Sequence, residues 1–422
     1  MKIIKYFFIL HLTLSFFLPL TISCSEIYED IIFKNNIHTV LLNNTNNSLS
    51  YPIINIHNDE QLILMFDEIT NEYKDYYYTI IHCNKDWTKS DLVESEYIDG
   101  FYDNIIEEYD FSFNTITKYI HYKLIFPNKN LKFIVTGNYI IKVYEDMEKK
   151  HVVLTKRFIV FENKINIETE IKRANNIEKR NTHQEIVLNL NNLNFQIKDP
   201  ISEISLLIKQ NNRDDLIIDS IKPIFIHNDK IIYDFHEGNL FPGGNEFRNF
   251  DSRSIRYYSS RIKNVIVDSN NISIELFPDV SRAFDEYISI SDLNGNYIIN
   301  KQEAWDSHLE AEYTDVTFSL LENRKINSSN IYILGRFTNW KEDKKYKLKY
   351  NENTRKYEIT LLLKQGYYNY VYQFNDLSLI NYIEGDYYET QNEYYIYIYY
   401  RETGSFHDQI IGYVKTSSKS LY

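Results

Sequence analysis

Few residues in this 422-residue chain have the types and spacing for covalent chemistry. His82 stands beside Cys83, the two types from which a thiol nucleophile and its base are built. Neighbours on a strand point to opposite faces, so the pair is read as packed core. Asp292-Leu293-Asn294-Gly295 starts like a calcium loop. The later oxygen ligands and the closing Glu are missing, and a turn accounts for the residues. His121-Tyr122 and His227 have no partners at metal-ligand spacing. No phosphate-binding loop, dinucleotide glycine pattern, His-Glu-x-x-His or Gly-x-Ser-x-Gly occurs. The 59 acidic residues leave paired-carboxylate hydrolysis open, but nothing singles out a pair. The expectation is a protein that is not an enzyme, needs no cofactor, metal or small-molecule substrate, and works by binding macromolecules.

The chain opens with Lys2 and Lys5, an apolar stretch from Tyr6 to Leu20, small residues at Thr21 and Ser23, then Cys24. That order is expected to be a secretory signal over residues 1–23, removed on export. The apolar stretch falls short of the roughly 20 residues that a bilayer span needs. Cys24 is a candidate lipidation site, the alternative being ordinary cleavage nearby. With 46 basic and 59 acidic residues the net charge is −13. Losing Lys2 and Lys5 takes it to about −15, a poor match for a phosphate backbone, so no nucleic-acid partner is expected. Cys24 and Cys83 are the two cysteines, so no disulfide framework supports the fold and ordinary apolar cores must.

Any functional residue must then be positioned by strands, because period-two alternation recurs along the chain. Ile186, Leu188 and Leu190 share one face, and Val316, Phe318 and Leu320 another. Tyr368, Tyr370, Tyr372 and Phe374 form a third, and Ile288 with Ile290 a fourth. Asn294-Gly295 is a hairpin-turn signal. Tyr394–Tyr400, aromatic and uncharged, is expected to be a central or covered strand. Asp91–Tyr109 is read as loop with a helical turn or two. With Gly at 11 and Pro at 7, Asn is expected to serve in turns. The fold class is all-β: tandem β-sandwich domains, immunoglobulin-like or early-set, after the signal segment. Polar breaks at Lys164–Thr182, expected to be a linker, and Glu303–Glu312 place them at residues 24–163, 183–302 and 307–422.

Two stretches carry resemblances. Ile331-Tyr-Ile-Leu-Gly-Arg-Phe-Thr-Asn-Trp340 followed by Leu361-Leu-Leu-Lys-Gln-Gly-Tyr-Tyr-Asn-Tyr-Val-Tyr372 resembles the glycogen-binding module of the AMP-activated kinase β subunit and related early-set domains. That likeness implies tight turns at Gly335 and Gly366 and sugar stacking on Trp340, with Tyr357 near the second aromatic position. A purely structural module is the competing reading. The wider resemblance runs over nearly the whole chain. It comprises Tyr78-Thr-Ile-Ile-His-Cys-Asn-Lys-Asp-Trp87, Ser90-Asp-Leu, Glu94-Ser-Glu-Tyr-Ile-Asp-Gly100, Ser112-Phe-Asn-Thr115, Tyr119-Ile-His-Tyr122 and Gly137-Asn-Tyr139. It continues with Leu363-Lys-Gln-Gly-Tyr-Tyr-Asn-Tyr370, Glu384-Gly385, Glu389-Thr-Gln-Asn-Glu-Tyr394 and Tyr399-Tyr-Arg401. This ordered set resembles the plug proteins of the bacteroidetal type IX secretion system. Tyr102 and the Asp285-Glu286 region depart from the family pattern. The resemblance implies a non-enzymatic component on the periplasmic side of the outer membrane, peripheral to it, closing the mouth of a large translocon β-barrel. Trp87, His121 and Tyr122 are then the expected partner contacts, and a periplasmic or surface glycan-binding protein using Trp340 and Tyr357 is the alternative.

Overall fold

The strand Leu62–Glu68 alternates Leu62, Leu64 and Phe66 inward with Ile63, Met65 and Asp67 outward. It lies between Ile37–Asn44 and Ile120–Phe126, with Glu108–Phe111 at the edge. Opposite stands a second sheet in the order Ile31–Ile32, Val152–Phe161, Gly137–Tyr144, Tyr77–Cys83, Asp103–Ile105. Tyr78, Ile80, Tyr139, Ile141 and Phe158 of that sheet meet Leu62, Leu64, Phe66, Tyr122 and Leu124 in one core. This is the first sandwich, in a computed structural model that describes residues 28–418 apart from 193–194, 220, 228, 235–237, 323–324, 327–328, 377–378 and 380. The expected signal segment and Cys24 lie outside the described residues. Asp91–Tyr109 holds one helical turn, Glu94–Tyr97, and short strands beside it.

The second sandwich has a sheet in the order Asn166–Arg173, His183–Asn191, Lys230–Tyr233, Phe225–His227. Its partner sheet runs Ile217–Ile218, Ile204–Gln210, Glu393–Tyr400, Gln409–Ser417. The third has Arg248–Asp251, Gly366–Phe374 and Tyr297–Ile299, with Ile331–Leu334 also on Gly366–Phe374. Facing it are Ile262–Val267, Ile272–Leu276, Tyr313–Leu321, Lys356–Lys364 and Lys349–Asn351.

This pairing corrects the expected division at 183–302 and 307–422. Strands from 248 to 299 belong with 313–374, and 393–417 returns to complete the sandwich begun at 166. The third sandwich is thus inserted into the second. Alternation marks a strand but does not say which distant strand it pairs with, which is where the expectation failed. The supposed linker is also partly strand, since Asn166–Arg173 pairs with His183–Asn191 along its full length. Ile288 and Ile290 are exposed and lie outside any strand. Their segment is held by side chains instead, through Arg282 on Glu384 at 2.7 Å and Tyr287 on Glu246 at 2.5 Å. Asn294 and Gly295 have φ of 50° and 79° and form the turn, with Asn296 N–H on Leu293 O at 3.1 Å. A strand follows that turn, but none precedes it within the hairpin.

The uncharged run at the C-terminal end explains how the sandwiches are assembled. Tyr394, Ile396, Ile398 and Tyr400 enter the core of the second sandwich. Tyr395, Tyr397 and Tyr399 enter a separate cluster with Cys83, Ile140 and Ile159, on the outer face of the first. The strand is buried on both faces, as its composition requires. Its hydroxyls remain satisfied: Tyr399 donates to Asn138 Oδ1 at 2.9 Å and Tyr397 to Asn212 Oδ1 at 3.0 Å. A chain ending at residue 302 loses this strand, and its segment beyond residue 163 should be largely unfolded. Limited proteolysis checks this; a resistant fragment covering 183–302 is the opposite result.

Candidate functional site

The three expected contact residues are all internal. Trp87 ends the turn Asn84–Trp87, where its N–H donates to Asn84 O at 2.9 Å and its φ is 65°. A left-handed backbone is uncommon for a bulky residue and needs surrounding support. Support comes from Tyr28 N–H on Trp87 O at 3.0 Å and from the Arg157 guanidinium, 4.3 Å from the indole centroid. His121 and Tyr122 share the strand Ile120–Phe126 and so point opposite ways. Tyr122 faces inward, stacked on Phe66 at 5.0 Å, with its hydroxyl on Lys74 O at 3.1 Å. His121 faces outward into the junction with the third sandwich. Trp87 lies instead in the apolar cluster against the second sandwich. Trp87 and His121 thus lie at seams between sandwiches and Tyr122 in the core of the first, and none of the three is open to a partner.

At the first–third junction the organising group is the Asp67 carboxylate. His121 Nδ1 lies 2.6 Å from Oδ1, and Oδ2 accepts from Lys364 Nζ at 2.6 Å and from the Tyr313 hydroxyl at 2.7 Å. Tyr313 also meets Thr39 at 2.6 Å. The Lys364 ammonium donates to His308 O at 2.6 Å and sits 4.1 Å from the Tyr119 ring centroid. Burial pushes the Asp67 carboxyl up, but the Lys364 ammonium and the His121 contact outweigh it and hold the group below its usual range. Two further buried carboxylates clamp the same seam. Glu312 accepts the N–H groups of Ile116 at 2.5 Å and Thr117 at 3.0 Å, and Glu310 accepts from Asn114 at 3.3 Å. These partners were missed in the sequence. A usable signal was there: Asp67 and Lys364 each end an apolar run, Leu62–Phe66 and Leu361–Leu363, where only a paired charge is tolerated.

Trp340 is buried, with Arg213 of the second sandwich stacked 4.2 Å from its centroid and Phe247 edge-on at 5.8 Å. Its ring fills the space where any Cβ on Gly295 would stand, at 2.4 Å, which with the positive φ there admits only glycine. Tyr357 is buried too, its hydroxyl bonded to Ile326 N at 2.7 Å. Neither ring presents a face to a sugar, which corrects the stacking expected of them. Gly335 opens the expected tight turn, a 3-10 turn over Arg336–Thr338 with Thr338 N–H on its carbonyl at 3.0 Å, while Gly366 begins a strand just after the bend at Gln365. Gly366 lets Ile298 O approach, at 2.2 Å from where a Cβ would be.

The motif that suggested sugar binding holds the three sandwiches together. Arg336 reaches the first, donating to Asn43 Oδ1 at 2.7 Å and Ser50 O at 2.8 Å and stacking 4.4 Å from the Tyr51 centroid. Trp340 reaches the second. Between the three lies a cleft of about 380 Å³, whose lining includes Asp30, Lys156, Asp214, Arg336 and Trp340. Its charges are spent on one another, as in Lys156–Asp30 and Lys209–Asp214 at 2.5 Å. His82 and Cys83 are buried; His82 Nδ1 meets Ser90 Oγ at 2.9 Å, and burial pushes the Cys83 thiol up to about 12, so the thiolate is not available at neutral pH. Among the described residues no cluster of three or more His, Cys, Asp or Glu could hold a metal ion, and no helix is long and apolar enough to cross a membrane.

The Asp67 pair has a measurable signature. Lys364→Met strands a buried carboxylate and should cost about 3–5 kcal/mol at pH 7, read by urea unfolding. The depressed folded value means the native state binds fewer protons than the unfolded one. The stabilisation is therefore present above the ordinary Asp value of 3.8 and is lost as pH falls through the lower folded value. Asp67→Asn should be less stable at pH 7 and should flatten the acid limb of the stability curve below about pH 4.

Residues 37–162 match the family model described as type 9 secretion system plug protein, 1st domain. That span covers the first sandwich except its strand Ile31–Ile32, and it is the sandwich against which the other two pack. A hypothetical protein from Parabacteroides merdae ATCC 43184, known from a crystal structure, is 33% identical to this chain. The superposition covers 92% of this chain and 99% of that one, with a TM-score of 0.88. No curated protein matches the chain. The two sheets of the first sandwich, with the turn Asn84–Trp87, thus form a recognised secretion-system domain, and the chain belongs to the type IX secretion system plug family and to that secretion machinery.

Proposed function

We propose that this protein closes the periplasmic mouth of the outer-membrane translocon barrel of the type IX secretion system by protein–protein binding, without catalysis. It is exported, loses residues 1–23, and sits peripherally on the periplasmic side of the outer membrane. The observation that carries this reading, beyond the family, is that all three sandwiches are locked to one another by buried contacts. A stopper must resist deformation, and large apolar or fully paired seams suppress the domain motion that small polar interfaces allow. Tyr395, Tyr397 and Tyr399 seal one seam, Asp67–Lys364 a second, and Arg213–Trp340 a third. The glycan-binding alternative has lost its two stacking residues to the interior.

Cargo has to pass, so binding must be reversible, which disfavours an obligate interface of several thousand Å². A strongly acidic chain should meet a rim of complementary charge. Affinity for the purified translocon should fall measurably between about 50 and 500 mM salt, because exposed charge pairs are screened beyond a Debye length. Deletion cells should admit a bulky antibiotic yet still secrete. Salt-insensitive binding together with unchanged permeability would remove the plug reading.

A further inference from the structure

The corner where the first sandwich meets the third carries a group of exposed aromatic rings. Trp305 is 99% exposed, Tyr257 79%, Phe111 53%, Tyr258 52% and Phe113 42%. Single exposed apolar residues are ordinary, but a contiguous group is the mark of an interaction surface. The backbone beneath these rings is fixed. The buried Glu310 carboxylate accepts the Trp305 N–H at 2.8 Å on Oε1 and Asn114 Nδ2 at 3.3 Å on Oε2, joining the two loops of the corner through one group. Phe113 N–H donates to Leu309 O at 3.1 Å. Tyr257 belongs to the same corner: Ser254 Oγ donates to Glu303 at 2.6 Å and accepts the Tyr257 N–H at 3.2 Å.

The surroundings are acidic. Glu107, Glu108 and Asp110 are exposed on and beside the edge strand Glu108–Phe111 that leads into the corner, Glu108 paired with Lys123 at 2.9 Å, and residues 99–118 contain a single lysine, Lys118, and no arginine. An anionic bilayer would be repelled by such a surface, whereas a protein rim bearing Lys and Arg around aliphatic pockets would be attracted. We infer that this aromatic corner, centred on Trp305 and Phe113, is the surface that docks on the translocon mouth, against a basic and aliphatic rim. The inference rests on the plug reading above. Fixed Trp and Tyr side chains are the residue types that carry most of the energy of such contacts, and a corner ordered beforehand loses little entropy on docking.

The test uses the full-length exported protein and the detergent-solubilised translocon barrel from the native outer membrane, with affinity measured by surface immobilisation. W305A/F113A should weaken binding about tenfold or more and leave the thermal melting curve unchanged, since neither ring is buried. F406A removes a ring on the second sandwich whose exposure, 71%, lies between those of Phe113 and Trp305, and should leave affinity unchanged. Equal affinity of W305A/F113A and wild type, with wild type binding, overturns the inference and spares the plug reading. Absence of binding by the wild type overturns both. Wild-type sedimentation with phosphatidylglycerol vesicles, abolished in W305A/F113A while translocon affinity is unchanged, would overturn it in favour of a lipid surface.

Discussion

The strand Tyr394–Tyr400 has no side that can face water. In an isolated sandwich one face of such a strand would be wet, and seven aromatic or aliphatic residues in sequence would invite aggregation. The chain resolves this by placing a second sheet on each face. Four sheets therefore stack in succession: the outer sheet of the first sandwich, its inner sheet, the tyrosine-bearing sheet, and the outer sheet of the second sandwich. Tyrosine suits the middle position. Its ring contributes apolar area, and its hydroxyl reaches Asn138 and Asn212 at the seam.

The seam with the third sandwich adds a polar device to apolar contact, since Leu41 and Met65 of the first sandwich pack into the core of the third. It places one carboxylate, one ammonium and two phenols where apolar packing would have been as stable. Such a cluster tolerates a single relative placement, because a shift of an ångström or two leaves Asp67 or Lys364 buried without its partner. Apolar burial thus holds the first sandwich to both others, and at the third the buried charge cluster fixes the placement. Arg336 and Trp340, four residues apart, tie the third to both others.

Much of this was legible in the residue pattern. The all-β class, the covered strand at Tyr394–Tyr400 and the family domain all follow from alternation and ordered motifs. The interleaving of the second and third sandwiches was not, because each strand's alternation is the same whichever strand it pairs with. The candidate contact residues went astray for a related reason. Trp87 and His121 lie at seams between sandwiches and Tyr122 in the core of the first, and prominence in a motif does not separate an interior position from an external surface. Trp305 drew no notice, since one tryptophan in a polar segment matches no pattern of period two.

The insertion of one sandwich inside another sets an order of events during synthesis. The chain emerges N-terminus first, and the first sandwich, drawn from one uninterrupted stretch, can close early. Ile204–Gln210 then waits with one edge bare until the whole third sandwich has been made, because its partner is Glu393–Tyr400. Over that interval the outward face of Ile81, Ile140 and Ile159 is uncovered as well. Open strand edges and bare apolar faces are what aggregation exploits, so a nascent chain of this family is most vulnerable after its first domain is finished.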